Sequence, residues 1–222
     1  MKILIGSIML LLSSVTFAIP MSLGDITGNG LHTETDTGDE RFMLTDTSGV
    51  LDDATVFLMF EMAGNHGINA FGIYDDSASL EVFAGSISPL SAATLNWDTG
   101  TDMVTLVGSG ISATIDETNF GFYLDTVDGR FFSESTLNGG FDYMQSFNVG
   151  DSGYADLLGA NMVLAFEDLA DYHTDYDYND MVIGISDINP VGPTTQSVPE
   201  PMPLALMGLG LVGLGMVKRR KQ

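Results

Sequence analysis

The chain contains no cysteine and very few basic residues. Its 222 residues include 7 lysines and arginines against 30 aspartates and glutamates, for a formal net charge of −23. Without cysteine, disulfide bonds cannot hold an exported domain together, so buried apolar side chains must do so. The shortage of lysine and arginine argues against nucleic acid as a partner, because a phosphate backbone is bound by clusters of basic side chains.

Long apolar runs occur only at the two ends of the chain. At the N-terminus, Met1 and Lys2 precede an apolar stretch over residues 3–12, and a polar segment follows with Thr16 and Ala18 at positions that suit signal peptidase. This order is typical of a secretory signal peptide, and the stretch is too short for a membrane anchor. We therefore predict that residues 1–18 are a signal peptide, which signal peptidase removes near Ala18.

The C-terminal run covers residues 202–217 and ends in four basic residues, 218–221. As a helix, 16 residues extend about 24 Å, which is short against a hydrocarbon core of about 30 Å. The basic flank orients such a span with its C-terminus in the cytoplasm. The run predicts a short hydrophobic C-terminal helix that is either an ordinary anchor or a temporary one.

Three features of residues 198–222 together resemble the PEP-CTERM sorting signal of Gram-negative bacteria: a Pro-Glu-Pro motif, a short apolar span and an arginine-rich end. The resemblance implies transient anchoring in the inner membrane, cleavage by an exosortase, and a mature protein at the cell surface or outside the cell. The residues that carry it are Val198, Pro199, Glu200, Pro201, Arg219 and Arg220.

The central region has an even more acidic composition than the whole chain. Setting aside Lys2, Glu200 and the four basic residues of the tail leaves 29 acidic residues against Arg41 and Arg130, a net charge of −27. Two arginines can neutralise few carboxylates. The remaining carboxylates must be solvated, kept apart or bridged by metal ions.

Short apolar segments separated by Gly, Asp, Asn and Ser dominate residues 50–190. The segment 54–61 is apolar on both faces, which predicts a strand in the middle of a sheet. Regular short strands with such turns predict an all-β domain, an antiparallel β-sandwich or jelly roll. We expect no amphipathic helix between the two export segments, a mostly irregular segment at 19–49 that includes a turn at 24–30, and a linker at 191–197.

An acidic segment lies between the last two long predicted strands. Carboxylate and amide oxygens are the ligands that Ca2+ prefers, and their density here predicts a calcium site. The spacing is not that of an EF-hand, because Asp180 replaces the required glycine and Ser186 the last ligand. The alternative is that these side chains only cap backbone N–H groups of the loop. The candidate ligands are Glu167, Asp168, Asp175, Asp177, Asn179 and Asp180.

The motif formed by residues 166–169 and 175–182, Phe-Glu-Asp-Leu followed by Asp-x-Asp-Tyr-Asn-Asp-x-Val, resembles the signature of the bacterial exported domain of unknown function 4114. The resemblance extends over most of residues 54–188. It implies an all-β extracellular module without enzymatic activity, in which the six residues named above bind calcium.

Two other functions remain open from the sequence. Tyr172, Tyr176 and Tyr178 alternate with acidic residues, an arrangement that suits calcium-dependent binding of a glycan. Paired acids could support a glycoside hydrolase, which needs two carboxylates across a cleft. We predict a non-enzymatic structural or binding module of the cell surface or biofilm matrix, with extracellular polysaccharide as its partner.

Overall fold

The computed structural model of the protein describes residues 22–31, 38–45, 51–61, 67–85, 87–150, 153–170, 173–174 and 176–192. Within them the chain forms thirteen β-strands, two short α-helices and a 3-10 turn at Ser135–Asn138. The helices are α1 (Leu23–Thr27) and α2 (Tyr154–Leu157). The strands are β1 (Phe42–Leu44), β2 (Leu51–Glu61), β3 (Ala70–Tyr74), β4 (Ser79–Phe83), β5 (Ala92–Asp98), β6 (Met103–Leu106), β7 (Ile111–Thr114), β8 (Gly121–Thr126), β9 (Gly129–Phe132), β10 (Met144–Asn148), β11 (Met162–Phe166), β12 (Met181–Ile185) and β13 (Ile188–Pro190).

The strands form one large sheet, one smaller sheet and a two-stranded ribbon. The large sheet has seven strands in the order β10-β11-β12-β2-β5-β6-β7, and the smaller has four in the order β4-β3-β8-β9. The ribbon pairs β1 with β13. Every pairing is antiparallel. The prediction of an all-β, antiparallel fold is confirmed, and its layers are arranged like a sandwich.

The main core lies between the seven-stranded sheet and the four-stranded sheet. Phe71 of β3 in the four-stranded sheet contacts Phe166 of β11 in the seven-stranded sheet, with ring centroids 6.0 Å apart. Phe71 also stacks on Phe122 of β8 at 5.6 Å. Trp97 of β5 is fully buried, and its indole N–H donates to the carbonyl of Ile115 at 3.1 Å. Aromatic side chains from both sheets therefore hold the layers together.

A second apolar cluster covers the other face of the seven-stranded sheet. Ile26 of α1 and Ala155 of α2 pack there with Val163 of β11 and Val182 of β12. Because both faces of this part of the sheet are covered, its central strands carry apolar residues on both sides. The central position predicted for residues 54–61 is correct, since β2 lies between β12 and β5.

The segment 19–49 contains more regular structure than the sequence suggested. Residues 24–30, predicted as a turn, include most of α1, which begins with a capping box between Ser22 and Asp25. β1 then pairs with β13 and joins this segment to the domain. The helices α1 and α2 have only 5 and 4 residues. Such lengths are too short to display the periodicity by which a helix is recognised.

The described part of the chain includes no helix that is both long and apolar enough to cross a membrane. The predicted signal peptide, the linker beyond residue 192 and the sorting signal lie outside the described residues.

Candidate functional site

The hairpin of β11 and β12 places the two halves of the acidic motif at one rim of the seven-stranded sheet. Phe166 at the end of β11 pairs with Met181 at the start of β12. Glu167 and Asp168 follow the first strand and Asp180 precedes the second, so antiparallel pairing brings them to the same edge. Met181 also pairs with Glu61, the last residue of β2. Carboxylates from three adjacent strands therefore meet at this rim, which we call the motif rim: Glu61, Glu167, Asp168 and Asp180.

Two carboxylates at the motif rim are buried. Glu167 is 0% exposed and Asp168 is 2% exposed. Glu167 accepts hydrogen bonds from the backbone N–H of Tyr178 at 2.5 Å and from the hydroxyl of Thr174. The N–H of Asp168 donates to Oδ2 of Asp180 at 3.0 Å. The two contacts with backbone N–H groups are loop caps of the kind that the sequence offered as the alternative to calcium.

The remaining motif residues lie in the loop before β12. Asp177 is exposed, and it accepts hydrogen bonds from the backbone N–H of Asn179 at 3.3 Å and from the Asn179 side-chain amide. The backbone of Tyr176 and Tyr178 has positive φ, 58° and 52°. Asp175 lies outside the described residues. The structure thus pairs Asp177 with Asn179, while Glu167, Asp168 and Asp180 form a separate group.

Asn69 belongs to the motif rim although the sequence motif does not include it. Its side chain is 1% exposed, and Nδ2 donates to Oδ2 of Asp168 at 2.9 Å and to Oε1 of Glu61 at 3.2 Å. Its Oδ1 is buried without a hydrogen-bond partner among the described residues. The sequence did not identify Asn69 and Glu61 as part of a site, because each is a polar residue at the end of a predicted strand.

A second acidic group lies at the β6–β7 end of the sheet. Asp102 precedes β6, and Asp116 and Glu117 follow β7. One carboxylate oxygen from each lies within 4.8 Å of the others, so this group could hold a metal ion. Burial, a hydrogen bond with Asp102 and the neighbouring charges raise the pKa of Glu117. Among the described acidic residues, Asp102, Asp116 and Glu117 bring three carboxylates within 4.8 Å of one another, whereas the described motif residues do not.

Both arginines of the central region are engaged with other carboxylates. Arg41 pairs with Asp76 at 2.7 Å and with Glu134 at 2.5 Å. Arg130 pairs with Asp125 at 2.7 Å, and its guanidinium lies 3.7 Å from the ring centre of Tyr123. Because the central region has no other lysine or arginine, acidic residues elsewhere depend on hydrogen bonds, water or an external cation for compensation.

The tyrosines considered for glycan binding differ in exposure. Tyr176 is 55% exposed, whereas Tyr178 is only 9% exposed and donates its hydroxyl proton to the carbonyl of Asp142 at 3.2 Å. Burial and nearby carboxylates raise the pKa of Tyr178 to about 12. Tyr172 lies outside the described residues. Tyr176 is therefore the described tyrosine of this group whose ring is open to a ligand.

Comparisons with known proteins leave the site to be interpreted from its own chemistry. No protein-family model, no curated protein and no solved structure matches the chain. A fold alone does not specify a function, which depends on the chemistry of particular residues such as those of the two acidic groups.

Proposed function

We propose that the protein is an exported, non-enzymatic β-sandwich module of the cell surface or biofilm matrix, stabilised by calcium at the motif rim. The observation that carries this proposal is the burial of Glu167 and Asp168 beside Asp180. Burying a carboxylate costs several kcal/mol unless it is compensated. Two adjacent buried carboxylates, supported by an amide and by hydroxyl and backbone groups, form an environment that a divalent cation would stabilise.

The chemistry of the donor set favours calcium over a transition metal. The rim offers carboxylate, amide and hydroxyl oxygens, and the chain has no cysteine. Calcium takes six to eight oxygen ligands in flexible geometry, whereas zinc is usually bound by sulfur and imidazole nitrogen. The resemblance of residues 166–182 to the domain of unknown function 4114 supports the same assignment.

The export part of the proposal rests on the two ends of the chain. Signal peptidase would release residues 1–18, and an exosortase would act at residues 198–201 after the apolar span has held the protein transiently in the membrane. The acidic central region suits an extracellular location, since high net charge keeps a chain soluble. The jelly-roll subclass and the C-terminal hydrophobic helix stay predictions.

The second candidate function is calcium-dependent glycan binding. The exposed ring of Tyr176 lies two residues after Thr174, whose hydroxyl contacts the buried Glu167. A sugar stacked on that ring would lie near the proposed ion. A sugar-array screen of wild type and Tyr176→Ala, with calcium and with chelator, tests this candidate. Binding that requires both calcium and Tyr176 would support a lectin-like role, and hydrolysis of the bound sugar would instead indicate a glycoside hydrolase.

Thermal unfolding with calcium or chelator tests the calcium proposal. At 100 times its dissociation constant, an ion adds about 2.7 kcal/mol of stability. That gain corresponds to a rise of about 5 to 10 °C in Tm for a domain of this size. The double variant D177N/D180N should lose most of the rise. An unchanged Tm in chelator, or an unchanged response of the variant, would leave the carboxylates as loop caps.

The second acidic group provides the matched control. The double variant D116N/E117Q removes the same number of charges from the Asp102 group and leaves the motif rim intact. It should keep the full calcium response. If it loses the response while D177N/D180N keeps it, the metal site lies at the β6–β7 end instead.

A further inference from the structure

The motif rim joins the two sheets at one point. Glu61 is the last residue of β2 in the seven-stranded sheet, and Asn69 directly precedes β3 in the four-stranded sheet. The Asn69 amide lies between Glu61 and Asp168, within hydrogen-bond distance of both carboxylates. A ligand bound here would contact both layers of the sandwich.

The Asn69 amide is incompletely satisfied in its present orientation. Nδ2 makes two hydrogen bonds, while Oδ1 is buried without a partner among the described residues. A buried carbonyl oxygen without a hydrogen bond destabilises the fold, and Asn69 is only 1% exposed, so water does not satisfy this oxygen freely. Arg41 and Arg130, the basic residues of the described part of the chain, supply no donor to this oxygen, because both are engaged with other carboxylates.

A half-turn of the amide converts this arrangement into a set of oxygen ligands. The two amide positions are about 2.2 Å apart, and exchanging them places Oδ1 where Nδ2 now lies. Nδ2 now lies 2.9 Å from Asp168 Oδ2 and 3.2 Å from Glu61 Oε1. After the exchange, Oδ1 would lie at about these distances from the same two oxygens. Neighbouring ligands of calcium have this spacing, because the ion holds each oxygen at about 2.3–2.6 Å.

We propose that Asn69 and Glu61 bind the same calcium ion as Asp168, so that the ion links the two sheets of the sandwich. This inference rests on the proposed function and adds two ligands that the motif does not contain. The Asn69 NH2 group lies between the two carboxylates, at the position where the cation would bind. Binding of the ion reverses the amide and satisfies the buried oxygen.

Isothermal titration of the purified full chain with calcium tests this inference. Asn69→Leu removes the oxygen and Glu61→Gln removes one charge, and each should weaken calcium binding by about tenfold or more. Asn161→Leu is the matched control, because Asn161 binds Ile188 near the opposite end of β11. It should bind calcium within twofold of wild type.

Asn69→Asp separates a ligand from a hydrogen-bond donor. Aspartate keeps the oxygens and loses the NH2 group, so the calcium-free protein should become less stable and the calcium-induced rise in Tm should exceed that of wild type. If Asn69 acted only as a hydrogen-bond donor, Asn69→Asp would lower Tm by the same amount with and without calcium.

The outcomes distinguish the inference from the function on which it rests. If wild type takes up no calcium, the proposed function fails. If wild type binds calcium and both Asn69→Leu and Glu61→Gln bind it within twofold of wild type, the two added ligands are wrong and the motif site stands. Equal weakening by Asn161→Leu would also overturn the inference, since it would show a general loss of structure.

Discussion

Asp180 accepts a hydrogen bond from the backbone N–H of Asp168 at 3.0 Å, across the loop end of the β11–β12 hairpin. The contact joins the two halves of the acidic motif, which are separated by a loop of the chain. The Asp180 carboxylate caps the hairpin and is also a ligand of the ion in the site that we propose. Substitutions at Asp180 therefore need to be measured with calcium and with chelator.

The first prediction separates these two roles of Asp180. In chelator, Asp180→Ala should lower the free energy of unfolding by about 1–2 kcal/mol, because the buried N–H of Asp168 loses its acceptor. Asp180→Asn keeps an acceptor oxygen and removes a charge beside two other carboxylates, so it should change stability little. Chemical denaturation measures both. Equal losses in the two variants would show that charge, and not the hydrogen bond, holds the hairpin end.

The second prediction concerns the two arginines. The Arg41 side chain is 14% exposed and its partner Glu134 is 17% exposed, whereas Arg130 and Asp125 are 34% and 36% exposed. Removing one partner of a buried pair leaves an uncompensated charge. Arg41→Gln should therefore cost about 2–4 kcal/mol, and Arg130→Gln about 1 kcal/mol or less. Urea denaturation in low and high salt checks the difference, and similar costs for the two variants would contradict it.

The third prediction is a pH dependence from Glu117. Its pKa is raised above the ordinary value of 4.5, chiefly by burial. The folded state therefore holds a proton that the unfolded state releases, and stability falls as pH rises from about 4.5 through the folded pKa. Glu117→Gln should remove this decline. The free energy of unfolding of the variant minus that of wild type should therefore grow as pH rises through this window and stay constant above it. A gain that is independent of pH would rule out titration of Glu117 as its cause.

The fourth prediction concerns processing of the tail. Cleavage near residues 198–201 should release a protein that lacks residues 202–222, and intact-mass measurement of the surface-exposed protein would detect it. Glu200→Ala should block cleavage and leave the protein in the membrane fraction. Thr195→Ala, just upstream, is the control and should be processed normally. A surface protein that retains residues 202–222 would show that the tail is an ordinary anchor.

The strand pattern was largely accessible from the sequence. Short apolar segments between turn residues predicted an antiparallel β-domain over residues 50–190 and a central strand at 54–61, because alternation and turn chemistry are local properties. The sequence placed the acidic segment between two predicted strands, and the pairing of Phe166 with Met181 brings its two ends to one edge of the sheet. It did not reveal α1 or α2, whose few residues are held by contacts with the sheet.

The composition of the motif rim depended on the tertiary structure. Asn69 and Asp168 are 99 residues apart in the chain, and their contact requires the four-stranded sheet to pack against the seven-stranded one. No local pattern encodes which sheet edge lies over which hairpin.

The sequence alone thus determined a strongly acidic, cysteine-free, all-β chain and marked one acidic hairpin within it. The packing of the two layers decided which other residues join that hairpin. It buried Glu167 and Asp168, placed the Asn69 amide between two carboxylates, and gathered Asp102, Asp116 and Glu117 at another edge. Burial and proximity arise from the assembled sheets, which is why the chemistry of these groups could be described only in the folded protein.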